Sequence, residues 1–383
     1  MKKTSNTSDL KFLFVLAVWT LLLAAPSIAR PRQSQTHIVW EKTSLHLVAR
    51  GGNYARIIRL RNGDLLCGYG DGKGLWAKRS RDNGTTWSEE TLVAPRQKEG
   101  NFANAELIQL LNGDLLFFGN LRPFERRNTT PVPFAIGVAR SVDGGTHWSP
   151  IKIVHQAGTE WGNGCWEPAG IQLPSGEVRL FFADEGPYTK SDEQQISFMR
   201  SFDNGQEWTQ SRAASFRIGK RDGMPVPLRL QNGTLVFSIE DNGLNGNFKP
   251  VIIQVPYTDS TKTEASVVSG QSPFRWSALQ TPLDARVYAG APYLRQLPTG
   301  ETLLSFQQAD DGDMHHSQMT VCVGDDTAHN FTASTHPFAA FQTGDQLWNS
   351  MFVEDKNTVT AIASTKIGDI YGIWTINGKV VRE

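Results

Sequence analysis

Ser80-Arg-Asp82-Asn-Gly84-Thr-Thr-Trp87, Ser141-Val-Asp143-Gly-Gly145-Thr-His-Trp148 and Ser201-Phe-Asp203-Asn-Gly205-Gln-Glu-Trp208 are three copies of one pattern, S-x-D-x-G-x-x-W. The Asp carboxylate can accept hydrogen bonds from backbone N–H groups a few residues on and so close a turn. The Gly can take positive φ without steric cost, and the Trp covers the turn with apolar surface. Three copies make an internal repeat, and repeats of this length belong to arrays, solenoids or propellers.

A second signal runs beside the first: an apolar strand, a Gly turn and another apolar strand. The turn residues are Gly63, Gly113, Gly176, Gly233, Gly300 and, in a degenerate copy, Asn357. Asn-Gly between alternating apolar runs is a strong hairpin signal. The turns recur at intervals of 50, 63, 57, 67 and 57 residues. Each interval has room for the hairpin, a third strand such as Ile136–Arg140 and a fourth. Four strands in each of six units describe an all-β, six-bladed β-propeller. No sustained helical periodicity competes with it. Among 383 residues, 35 Gly and 19 Pro with 39% hydrophobic content suit a turn-rich globular chain with a sizeable core.

Residues 1–29 read as a signal peptide. Lys2, Lys3 and Lys11 precede an apolar run from Phe12 to Ala25, and Ser27-Ile28-Ala29 offers a cleavage site. The run is short for a membrane anchor. Residues 30–383 are then one propeller domain, secreted or periplasmic, with no membrane partner once the leader is removed. Lys plus Arg equals Asp plus Glu at 38 each, which gives no electrostatic case for nucleic acid. Cys67, Cys165 and Cys322 have no metal-ligand spacing and read as core residues, though one pair could be bridged. Asn83, Asn128, Asn232 and Asn330 open N-x-S/T triplets. Asp310-Asp311-Gly-Asp313 reads as a solvated loop before it reads as a calcium site. No metal, no cofactor and no oligomer contact is called for, so the protein is expected to act as a monomer.

Antiparallel pairing puts the Gly turns and the Asp-containing turns on one face of the disk. Nine residues before each turn, on the other face, stand Tyr54, Asn104, Glu167, Met224, Ala291 and Trp348. Seven residues after it stand Gly70, Asn120, Ala183, Glu240, Gln307 and Ser364. Each set holds one acid, Glu167 or Glu240, in adjacent blades. Two carboxylates over one pocket are what glycoside hydrolysis needs. Either could instead be a paired ion at a strand end; Asp184, Glu185 and Asp241 are the reserves. Trp161, Trp166, Tyr188, Tyr288, Tyr293 and Trp348 cluster around these positions and could face sugar rings or simply pack between blades. Tyr288 or Tyr293 could hydrogen-bond and tune a catalytic carboxylate. Arg56, Arg221 and Arg286 come at the same face, where one arginine orients a carboxylate and three would suit a carboxylate on the substrate.

The S-x-D-x-G-x-x-W turns resemble the Asp box of sialidases and related six-bladed propellers, and Tyr54-Ala-Arg56-Ile-Ile looks like the arginine-bearing first strand of sialidases. Trp166-Glu167-Pro168 and Ile239-Glu240-Asp241 resemble, in order and separation, the two glutamate segments of glycoside hydrolase family 93, the exo-α-1,5-L-arabinanases. That resemblance implies a retaining exo-hydrolase releasing arabinobiose from arabinan. Glu167, Glu240 and a pocket tyrosine, Tyr288, would be catalytic. Arg56, Trp166, Tyr188, Asp241, Arg286, Tyr293 and Trp348 would contact an oligo- or polysaccharide. The sialidase alternative requires two further arginines and an Asp acid that have no clear positions here. A non-catalytic carbohydrate-binding propeller is the third reading.

Overall fold

The computed structural model describes residues 36–124, 130–256 and 266–383. The leader reading and Asn128 lie outside the described residues. The rest is strand and turn, with three short 3-10 turns as the helical content. Six antiparallel sheets follow one another along the chain. Their innermost strands are Asn53–Arg59, Gly100–Gln109, Cys165–Gln172, Asp222–Arg229, Tyr288–Gln296 and Leu347–Val353. Each pairs with a second strand across one of the turns singled out above. The turn glycines adopt φ between 91° and 113°, which is why glycine recurs there.

The sixth blade closes the ring. Thr36–Trp40 and His46–Arg50 form its outer edge, both antiparallel to Ile370–Arg382. Thr36 pairs with Arg382. No local pattern announces such a pairing. A short strand, Val268–Ser269, also leaves blade four to extend the edge of blade three.

The Asp-containing turns share one face with the hairpin turns. Arg59 donates to Gly63 O and Asn83 Oδ1, tying the two turn types together. Within each S-x-D turn the Ser hydroxyl donates to the Asp carboxylate at 2.8 Å. That carboxylate accepts the N–H of the residue four on, at 2.8–3.0 Å. Asp325 repeats the bond with His329 N, so the worn copy in blade five keeps the turn chemistry. Cys67, Cys165 and Cys322 are buried and unbridged.

One device recurs in all six blades. The ladder between the first and second strands slips by one residue near the far face, after Asn53, Ala103, Trp166, Gly223, Gly290 and Leu347. The next residue is left-handed in each: Tyr54, Asn104, Glu167, Met224, Ala291 and Trp348, with φ of 50–55°. None is glycine, and each costs about 1–2 kcal/mol. Such a bulge takes the N–H of that residue out of the ladder. In three blades the freed N–H bonds a side chain of the preceding blade. Met224 N donates to Glu167 Oε2 (3.4 Å), Ala291 N to Glu240 Oε2 (2.8 Å) and Trp348 N to Gln307 Oε1 (2.5 Å).

Candidate active site

The strain has a use at the two glutamates. Glu167 itself occupies the bulge of blade three, and Glu240 ends the second strand of blade four opposite Gly223. Glu167 reaches Met224 N. Glu240 Oε1 lies 3.0 Å from where a Cβ on Gly223 would stand. The two carboxylates therefore bracket the single Gly223–Met224 peptide. Protein surrounds both, yet each keeps partial solvent exposure, as groups in the wall of a pocket do.

Gly290, in blade five, completes the fit. A Cβ there would collide with both Tyr288 Oη and Glu240 Oε2, so the phenol and the carboxylate converge over one bare Cα. Gln307 Nε2 donates to Tyr288 Oη at 3.5 Å. The apolar arc beside them is Tyr54, Met224, Ala291 and Trp348, with the Tyr54 and Trp348 rings 6.0 Å apart.

The two acids have different surroundings. Burial, and then the charge of Glu240, pushes the Glu167 carboxyl up to about 8, against the pull of Arg122. Burial also raises Glu240, but its anion is favoured by the Ala291 N–H and by Arg221. Glu167 is thus held protonated at neutral pH beside a carboxyl whose anion has two favourable partners, an arrangement able to divide acid and base roles between them. Burial, with both glutamates, pushes the Tyr288 phenol well above its usual value, so it stays a neutral donor.

Arg221 reaches this pocket indirectly. It donates to Asp192 O and is held by Glu185 and Gln194. Glu185 in turn accepts Gly164 N. Arg122 and Glu106 escaped the sequence reading. Arg122 donates to Asn104 Oδ1, lies 5.2 Å from the Trp166 ring and faces Glu167. Glu106 is a third buried carboxylate at the axis, raised by burial against Arg56 and Arg295. Counting back seven from each turn instead of nine selects Arg56, Glu106 and Tyr293 together.

Several expected contacts are placed elsewhere. Arg56 is 2% exposed and pairs with Glu106 at 3.5 Å, its guanidinium between the rings of Tyr54 (4.0 Å) and Tyr293 (4.7 Å). It fills the axis below the bulge, because the left-handed residue turns the strand before Arg56 is reached. Tyr293 belongs to this lower cluster, bonded by Arg295. Asp241 is also withdrawn. Arg275 at 2.7 Å, Arg217 at 2.8 Å and Gly243 N at 2.6 Å occupy its oxygens, and it has no exposed surface to offer a sugar. Arg286 is mostly exposed beside Asp284. Tyr188 stacks on Phe216 and bonds Gln195. Asp184 bonds Ser197 and Gly186 N. Trp166 is nearly covered, under the exposed Trp161 ring at 5.3 Å. Asp311 of the acidic loop pairs with His316.

Among solved structures the likeness is to six-bladed propellers of the sialidase type. A Dyadobacter fermentans protein of unknown function superposes with a TM-score of 0.68 at 14% identity, over 90% of this chain and 99% of that one. The family 93 α-L-arabinofuranosidase of Fusarium graminearum, determined with arabinobiose, gives 0.58 at 17%, over 87% and 93%. Trypanosoma rangeli sialidase in complex with the inhibitor DANA gives 0.55 at 13%, over 90% of this chain and 58% of the other. No protein-family model matches the sequence, and no curated protein matches it. The architecture, a sialidase-like six-bladed propeller, is thus shared with glycosidases acting on quite different sugars.

Proposed function

We propose that this protein is an exported, monomeric, exo-acting glycoside hydrolase that removes terminal α-L-arabinofuranosyl units, as arabinobiose, from arabinan with retention. The observation that carries the reading is the pair Glu167 and Glu240 on either side of one peptide, with the Tyr288 hydroxyl over the second of them. Glu167, protonated at neutral pH, gives its proton to the departing glycosidic oxygen. Glu240, steadied by Ala291 N–H, attacks the anomeric carbon. Deprotonated Glu167 then takes a proton from water, which displaces Glu240 and leaves the anomeric configuration unchanged. Tyr288, whose Oη converges with Glu240 Oε2 over Gly290, packs beside the nucleophile. The exposed edge of Trp348 gives the sugar an apolar face.

The likeness to a family 93 enzyme bound to arabinobiose supports arabinan over a sialoside. So does Arg56, which in a sialidase would clamp the substrate carboxylate and is here committed to Glu106 between two aromatic rings. Incubation with linear arabinan and with a sialoside separates these readings. Removing Glu240 with azide present should give an azide of inverted configuration, and removing Glu167 one of retained configuration. Full turnover by Glu167→Gln or Glu240→Gln, or release of neither sugar, overturns the assignment.

A further inference from the structure

The internal repeat supplies its own control for the seams between blades. At the seam of blades one and two, a Cβ on Gly145 would stand 3.2 Å from Leu66 of the preceding blade. At the next seam, a Cβ on Gly205 would stand 2.6 Å from Leu116. Each of these seams is also bolted by an arginine: Arg79 donates to Gly144 O, and Arg140 to Asn204 O. At the seam of blades six and one both parts are replaced. Thr360 stands where Leu66 and Leu116 stand, three residues past the turn, and Asn377, its ladder partner, stands where the arginines do. Around Gly84 the nearest atoms are Leu65 and Trp87 at 3.7 Å, both of its own blade.

What remains is a cavity of about 280 Å³ on the face opposite the glutamates. The 3-10 turn Lys42–Ser44, which interrupts the outer edge of blade six, lies along one side. Its walls combine the Trp87 and Phe352 rings with Thr85, Thr360, Asn377 and His46. The Thr360 hydroxyl donates to Glu354 Oε1 at 2.7 Å and lies 3.0 Å from Asn377 Oδ1, and that of Thr85 donates to Asp82 O at 2.9 Å, which leaves the hydroxyl lone pairs and the Asn377 amide N–H for a ligand. No Asp, Glu, Lys or Arg lines it. Burial holds His46 below its usual pKa, so the imidazole is neutral at pH 7.

We infer that this seam is a second binding site, for a neutral sugar unit, on the opposite face of the disk from Glu167 and Glu240. An uncharged lining excludes phosphate, carboxylate and metal ions as the primary ligand. An aromatic wall facing several hydroxyl and amide groups fits the alternating C–H faces and hydroxyls of a glycoside. The volume admits one ring. The inference stands apart from the glycosidase reading, because a seam site can bind sugar whether or not the central pocket cleaves it.

The test is a titration of the full chain with the methyl glycosides of L-arabinofuranose, D-xylose, D-galactose and D-glucose. The indole N–H of Trp87, which donates to Gly84 O at 3.1 Å, is followed by NMR. A saturable shift is expected for at least one probe, with a dissociation constant on the order of 1 mM. It should persist in Glu240→Gln, which addresses only the central pocket. Thr360→Leu places there the leucine of the two seams described above and should weaken binding by about tenfold or more, with a melting curve confirming that the variant is folded. Asn377→Ala, which removes hydrogen-bonding capacity without filling the space, should weaken it as well. Absence of any Trp87 shift with all four probes overturns the inference. So does a shift that survives both substitutions.

Discussion

Adding a single methyl group at Gly290 should disable the proposed hydrolysis while leaving the protein folded. Gly290 has no left-handed φ, so alanine brings no backbone strain. Its Cβ would fall on Tyr288 Oη and Glu240 Oε2, and both side chains would have to shift. Tyr288 Cζ also stands 2.5 Å from that Cβ, in a ring that is 7% exposed, so moving it should cost about 1–3 kcal/mol of stability. The carboxylate, however, must retreat by something near 1 Å and give up its 2.8 Å bond from Ala291 N. A hydrogen bond to a charged group is worth about 1.5–3 kcal/mol, or roughly ten- to a hundredfold in rate. Misplacement of a reacting group by this distance independently costs about a hundredfold. The assay is kcat/KM on linear arabinan together with a melting curve, and Gly162→Ala, whose Cβ would meet open space, is the control. A fall of about a hundredfold is expected in a protein that still melts in one cooperative step. Wild-type turnover by Gly290→Ala would refute the idea that Glu240 reacts from the position seen here.

Hydrolysis should decline as pH rises through about 8, where Glu167 loses the proton it must donate, and Arg122→Met should move that limb upward by removing a cation that favours the anion. The same acid weakens the fold. Its carboxyl is raised above its unfolded value, so its contribution is fully present below about pH 4.5 and lost as pH climbs toward 8. Glu167→Gln should therefore be inactive yet more stable than wild type at pH 8, by on the order of 2 kcal/mol in denaturant unfolding; equal stability at pH 8 would count against the burial assigned to it. Arg275→Met strands Asp222 in the interior, leaves Asp241 with Arg217 alone, and should cost about 3–5 kcal/mol, read as a collapse of Tm, where a surface ion pair would cost almost nothing.

Much of this site could be counted out from the turns. The bulge occurs once in every blade at the same distance from its hairpin, so a count of nine from the glycine stays in phase around the ring and lands on Glu167 and Trp348. A count of seven forward lands on Glu240. What resisted reading was set by distance along the chain. Asp241 draws its two arginines from 24 and 34 residues away, and no local pattern marks it as a buried ion instead of a sugar contact. Arg56 looks exposed in an alternating strand, but the left-handed Tyr54 before it swings the side chain to the axis, where Glu106 of the next blade waits. The glycines at 223 and 290 carried no turn signal, because what they provide is empty space.

The pairing of Thr36 with Arg382 also bears on how the molecule is made. Blades two to five can each settle against a finished neighbour as they leave the ribosome. The segment from Thr36 to Arg50 is synthesised before any of them, and its ladder partner among the described residues, Ile370–Arg382, comes after them all. For nearly the whole of translation the nascent chain therefore carries an unmatched edge at its front, open to other chains. The final strand to emerge acts as the clasp that turns an open stack of sheets into a closed one.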